Sequence, residues 1–386
     1  MEKNLKILMI GSDRNLCVEG SAVSKRIKEY GNLVVELHII VFATRKHLRL
    51  LKIENSKLKI SNNVWVYPTN SFSRWFYLRD AVTLSKKIVY ENKFIRGKSV
   101  ITTQDPFECG WTGLKIKKWW RLPLEVQLHT DPFSPYFTGF QNRVRQFFAR
   151  TVLAKADGIR VVSESLKLKA KSLKLGAEIS VLPIYVDREK IENSHVTSDL
   201  HTRYPWRFIL LAVSRLAPEK NLSLAIKILA SVRKKFPDTG LVIVGSGSEE
   251  NRLKVLVKKL KLEDAVAFVG WQNDLASFYK TANAFIQTSL FEGYGLSLVE
   301  AGLSGLPVLT TPVGIAQELK HGEDAYIYPH NHPELFVEGI IALIENNQER
   351  ENLKINLQKT LELRLLSKEA YMAKIRGGWE SIATKV

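Results

Sequence analysis

Only two cysteines, Cys17 and Cys109, occur in 386 residues. Two thiols cannot make a disulfide framework, so the sequence predicts a reducing, cytoplasmic setting with both side chains in the core. No apolar run approaches the roughly 20 residues needed to span a bilayer. The N-terminus, Met1 to Gly11, runs straight into a strand pattern and lacks the cleavage signature of a secretory signal. There is no Asp-x-Asp, zinc-finger spacing, RNP signature, isolated basic arm, short-period repeat or low-complexity tract. What remains is a composition of 45% hydrophobic and 25% charged residues, ordinary for a soluble globular protein long enough for two domains.

The most informative segment is Phe291-Glu292-Gly293-Tyr294-Gly295-Leu296-Ser297-Leu298-Val299-Glu300, which follows the apolar run Ala284–Thr288. The run reads as a buried strand, the two glycines as a tight loop, and Leu296 to Ser304 as a helix ended by Gly305 ahead of Pro307 and another strand. In such a β-loop-α-β unit, the loop and the free amides of the helix N-terminus suit anionic groups, above all phosphate. Glu292 lies at the mouth of that loop and Glu300 one turn after Leu296, so both carboxylates are expected to flank one ligand.

A second constellation runs from Phe208 to Asn221. A buried strand, Phe208–Val213, is followed by a loop carrying Arg215 and Lys220, then by a helix with apolar residues at Leu222, Ile226, Leu229 and Val232. Arginine offers a planar fork of donors and lysine a mobile point charge, a combination suited to a diphosphate. Gly245-Ser246-Gly247 also falls at a strand's C-terminal end, where ligands bind in open α/β sheets.

These elements resemble the retaining glycosyltransferases of family 4 (group 1), with their E-G-[FY]-G-x-x-x-x-E-A, G-x-P-V and R-L-x-x-x-K-[GN] patterns. The resemblance implies the GT-B fold: two doubly wound Rossmann-like parallel-sheet α/β domains with a cleft between them. It places an N-terminal acceptor domain over residues 1–187, a nucleotide-sugar donor domain over 206–367, and a terminal helix, 368–384, packed back on the first domain. The alternating strand and helix patterns of both halves agree with it, and the polar stretch Asp187–Trp206 reads as the boundary.

By the same resemblance, Glu292 binds sugar hydroxyls and His129, in Gln127-Leu128-His129-Thr130-Asp131, lies near the transferred sugar. Arg215, Lys220 and the backbone of Gly295, Leu296 and Ser297 hold the diphosphate. Glu300 takes the ribose, with Gly245 and Gly247 facing the nucleotide. The family's acceptor-side Gly-Gly pair appears here as Glu19-Gly20-Ser21-Ala22, leaving Gly20 and Ser21 as the candidates; Tyr185 stands where the family has glycine. The implied reaction moves a hexose from a nucleotide-sugar, which is a substrate, to a sugar, glycan or lipid-linked acceptor, with no cofactor and no metal, because cationic side chains neutralise the leaving group. A nucleotide-sugar epimerase would use the same diphosphate site, and a nucleic-acid-binding protein would account for the charge but leave these motifs without purpose.

Charge is uneven. Residues 1–200 hold 34 of the 57 Lys and Arg but 19 of the 39 Asp and Glu, a net +15, leaving +3 for residues 201–386. Basic residues alternate with aromatics at Phe72–Arg79 and Lys115–Arg121. That mixture suits an anionic membrane surface, and hence a peripheral location on the inner face; the plainer account is solvated charge on helices whose aromatic side faces the core.

Overall fold

A computed structural model of the chain describes residues 5–53 and 55–385. The chain divides into two compact units, Met1–Pro183 with Ser367–Val386, and Ile184–Leu366.

The first unit is built on eight strands: β1 (Lys6–Gly11), β2 (Glu36–Val41), β3 (Leu58–Ser61), β4 (Val64–Pro68), β5 (Ser99–Thr103), β6 (Leu124–Leu128), β7 (Gly158–Val161) and β8 (Glu178–Val181). Their order is β3-β4-β2-β1-β5-β6-β7-β8. All pairs are parallel except the edge pair β3/β4. The central strands are runs such as Ile7-Leu8-Met9-Ile10, fully buried because helices cover both faces. Cys17 and Cys109 are both buried and unpaired. β3 and β8 are additions to the sequence reading. Each has four residues, half exposed, and so lacks the apolar run that marks a strand covered on both faces.

The C-terminal helix Lys368–Thr384 belongs to this unit. Its Trp379 is fully buried, sends its indole N–H to Glu125 on β6, and meets Tyr30 edge-on. Tyr371 on the same face lies 3.4 Å, hydroxyl to hydroxyl, from Tyr30. A helix with Tyr371, Ile375, Trp379 and Ile382 on one stripe has a 3.6-residue apolar repeat and must bury it against something.

The second unit holds β9 (Phe208–Val213), β10 (Thr239–Val244), β11 (Val266–Gly270), β12 (Ala284–Gln287), β13 (Val308–Thr310) and β14 (Tyr326–Ile327). The order β11-β10-β9-β12-β13-β14 is all parallel. Numbered within the unit this is 3-2-1-4-5-6, the doubly wound order, whose direction reverses between β9 and β12. Helix Leu222–Val232 buries the anticipated Leu222, Ile226, Leu229 and Val232 in a core shared with β9, β10 and helix Pro333–Glu345. The stretch 187–206 is not irregular. It carries the short helices Arg188–Glu192 and Leu200–Arg203, and Thr197 and Leu200 donate backbone N–H groups to Ser277 and Thr281 of the second unit.

Candidate functional site

The reversal between β9 and β12 sends the two following loops to opposite sides and leaves a crevice at the strands' carboxyl ends. Arg215 and Lys220 follow β9, and Glu292 follows β12. The loops are tied across that gap: the Leu290 N–H donates to Glu219 O at 2.8 Å, and the Thr288 hydroxyl to Asn221 O at 3.0 Å. Asn221, with a left-handed φ of 48°, turns the chain from the short 3-10 segment Pro218–Lys220 into its helix.

This scaffold brings Lys220 Nζ to 2.6 Å from Glu292 Oε1, with side chains only 15% and 13% exposed. The Ser289 hydroxyl donates to the same oxygen at 2.8 Å. Arg215 differs. Its side chain is 71% exposed and its Nη2 lies 3.0 Å from Glu219 Oε1, a contact that holds little energy in water. The two sequence-named cations are therefore not equivalent: one is fixed beside a carboxylate, the other projects into solvent.

Glycine appears where backbones must nearly touch. A Cβ on Gly245 would lie 1.9 Å from Ser214 O, and one on Gly247 2.3 Å from Leu216 O, so the G-x-G loop rests directly on the loop after β9. Gly295 caps helix Leu296–Leu303 at φ 97°, and the first amides of that helix, Leu296 and Ser297, have no carbonyl a turn behind them within the helix. They are preformed donors for an anion. Gly314 was missed in the sequence reading. At φ 57°, with Tyr294 O 2.4 Å from the place of its Cβ, it allows the Ile315 N–H to hold Tyr294 O at 2.7 Å and so pins the glycine loop.

Glu300 lies on the second turn of that helix, partly buried, and accepts a hydrogen bond from the Tyr279 hydroxyl at 3.0 Å. Burial raises its carboxyl above the ordinary range, opposed by the Tyr279 bond and by Lys190. Gln287, at the end of β12, is also new. It is buried beside Gly295, and among the described residues neither amide atom has a hydrogen-bond partner. Such a group costs about 1–3 kcal/mol in an apolar site, so its presence beside the glycine loop is informative.

In the first unit, His129 follows β6 and is exposed to solvent. Desolvation by the surrounding protein, then the charges of Arg160 and Arg26, push its pKa down to about 4. That exposure weakens the desolvation and screens the two cations, but all three act in one direction and favour the neutral imidazole. Gly20 sits at φ 74° ahead of helix Ala22–Gly31, and Ser21 is that helix's N-cap, accepting from the Ser24 N–H while donating to Asn15 O. The Ser21 hydroxyl is thus committed to the helix end.

Residues 198–360 match the family model described as glycosyl transferases group 1. An uncharacterized glycosyltransferase of Haemophilus influenzae is 33% identical over 175 residues, 45% of this chain and 48% of that protein. The alpha-monoglucosyldiacylglycerol synthase of Streptococcus pneumoniae is 27% identical over 224 residues, 54% of this chain and 51% of that protein. The chain thus spans about half the length of these curated relatives. Among solved structures, Anabaena HepE in complex with UDP and glucose superposes with a TM-score of 0.76 at 20% identity, covering 98% of this chain and 100% of that one. The chain has the GT-B fold, and the match to the group 1 glycosyl transferase model covers residues 198–360 of it.

Proposed function

We propose that this protein is a group 1 glycosyltransferase that moves a hexose from a nucleotide-sugar to an acceptor with retention at the anomeric carbon, and that the acceptor is lipid-linked or membrane-associated. The observation that carries the reading is the Lys220–Glu292 pair at the β9/β12 reversal, beside the amides of Gly295–Ser297. Lys220, the helix N-terminus and the exposed Arg215 stabilise charge developing on the leaving diphosphate, which is electrostatic preorganisation rather than nucleophilic attack. Glu292 receives sugar hydroxyls, Glu300 the ribose, and Gly245 and Gly247 keep the nucleotide close to backbone. His129, neutral, serves the transferred sugar; Gly20 lies on the acceptor side. Stabilisation by a panel of nucleotide sugars, followed by NMR of the product's anomeric configuration, tests this. An inverted product removes the retaining assignment.

The Glu300 assignment predicts a pH dependence. A carboxyl with a raised native pKa holds its proton more tightly folded than unfolded, so its contribution to stability falls as pH rises through that window. Ribose binding has the opposite sign, because the ionised group is the better acceptor. Nucleoside diphosphate affinity should therefore drop as pH is lowered toward the acid range in the native protein, and this slope should be smaller in Glu300→Gln. Equal slopes in both, measured by calorimetry, would assign the effect to another group.

The membrane reading rests on the surface of the first unit. Trp75 is 92% exposed, Trp119 is half exposed with Lys86 Nζ 3.6 Å from its ring centroid, and both face solvent instead of the core; Trp120 is half-buried. No helix of the described residues is long and apolar enough to cross a membrane. Support also comes from the pneumococcal relative, whose name describes a diacylglycerol product. Each Lys or Arg at an anionic surface adds about 1 kcal/mol and is screened over about 8 Å at physiological salt. Co-sedimentation with anionic vesicles should be strong at low salt and fade as salt rises. Protein left in the supernatant at low salt points to a soluble acceptor.

A further inference from the structure

We propose that Gln127 is a positioning residue that fixes the tautomer of His129, through a directional hydrogen-bond chain rooted in the C-terminal helix. Glu125, Gln127 and His129 alternate along β6 and just beyond it, so they share one face of the sheet, the face covered by helix Lys368–Thr384. Glu125 and Gln127 are buried, as is Thr102 on neighbouring β5, which stands opposite Glu125 in register.

The chain has a polarity. An indole N–H can only donate, and that of Trp379 points at Glu125 Oε2 from 3.3 Å. The Thr102 hydroxyl meets the same oxygen at 2.6 Å, while the Arg160 guanidinium lies 4.0 Å from Oε1. The carboxylate accepts from the first two, while the guanidinium, beyond hydrogen-bond reach, contributes only its charge. Having donated its proton to Glu125, Thr102 Oγ1 accepts from Gln127 Nε2 at 2.9 Å. That bond orients the amide, leaving Gln127 Oε1 toward His129 Nε2 at 3.2 Å. A carbonyl oxygen cannot donate, so the imidazole proton resides on Nε2. Nδ1 is left with its lone pair as a hydrogen-bond acceptor.

A neutral histidine free to exchange tautomers would present an acceptor only part of the time. Here a tryptophan 250 residues downstream in sequence holds the ring in one form. Contact between Nδ1 and a substrate hydroxyl rests on the function proposed above; the tautomer does not.

Long-range proton–nitrogen NMR of ¹⁵N-labelled protein reads the tautomer directly, with the His129 signals assigned by their loss in His129→Gln. The native protein should show Nε2 protonated and Nδ1 bare. Thr102→Val cuts the link that orients the amide and should move His129 toward a mixture of tautomers; Gln127→Met should do the same, and Thr102→Ser should restore the native pattern. A native spectrum with the proton on Nδ1, or a ratio unmoved by both Thr102→Val and Gln127→Met, overturns the proposal. Transfer is measured in the same variants. A shifted tautomer with kcat reduced several-fold and nucleotide affinity unchanged supports positioning at the sugar; a shifted tautomer with unchanged kcat supports the hydrogen-bond chain and removes the sugar contact alone.

Discussion

Lys220→Ala is expected to weaken nucleoside diphosphate binding by about 10- to 100-fold, because a charge-assisted hydrogen bond is worth about 1.5–3 kcal/mol. It should also lower stability, which Arg215→Ala should not. Lys220 and Glu292 are nearly buried at 2.6 Å, so removing the cation leaves a carboxylate facing the interior with, among the described residues, only the Ser289 hydroxyl as a remaining partner. Arg215 pairs with Glu219 at the surface, where such pairs contribute about 0–1 kcal/mol. The motif alone treats the two cations alike and forecasts little stability loss for either; their burial separates them. Titration of nucleoside diphosphate together with thermal unfolding of both variants checks this. Equal affinity in the native protein and Lys220→Ala would remove Lys220 from the diphosphate site.

Much of the frame was legible because buried parallel strands are written as short apolar runs. The strand expected over Phe208–Val213 has the bounds the structure gives it, and Leu296 is the first residue of the helix expected after the glycine loop. β3 and β8 escaped because edge strands are half exposed and their patterns merge with loops. The helices within 187–206 escaped because four- and five-residue segments have no periodicity to show.

The candidate site was legible as residue types and not as pairs. Glu292 and Lys220 each stood out in a motif, but they are 72 residues apart and meet only because β12 lies beside β9. Tyr279 gave no signal as the partner of Glu300, since a tyrosine on a short helix reads as core. Gln287 did carry one: an amide ending an apolar run at the switch between strand and loop. The Glu125, Gln127, His129 alternation was likewise visible as polar residues at every second position of a buried strand, where an unpaired polar group is costly and a hydrogen-bonded chain is the expected remedy.

Glu292→Gln should separate binding from transfer. The amide is nearly the same size as the carboxylate and still accepts from Ser289, so the loop should keep its shape. What disappears is the negative charge facing Lys220. With its counter-charge gone, Lys220 is freer to serve a diphosphate, so affinity for free nucleoside diphosphate should hold or tighten. Transfer should nevertheless fall on the order of 100-fold, the scale on which one preorganised electrostatic partner acts on a transition state, because the sugar hydroxyls lose the carboxylate that receives them. The pattern is opposite to that of Lys220→Ala, where affinity falls first. Single-turnover rates at saturating donor, set beside the diphosphate titration, resolve the two. Should Glu292→Gln bind the diphosphate more tightly and transfer at the native rate, Glu292 is a counter-ion for Lys220 and the sugar is held by other residues.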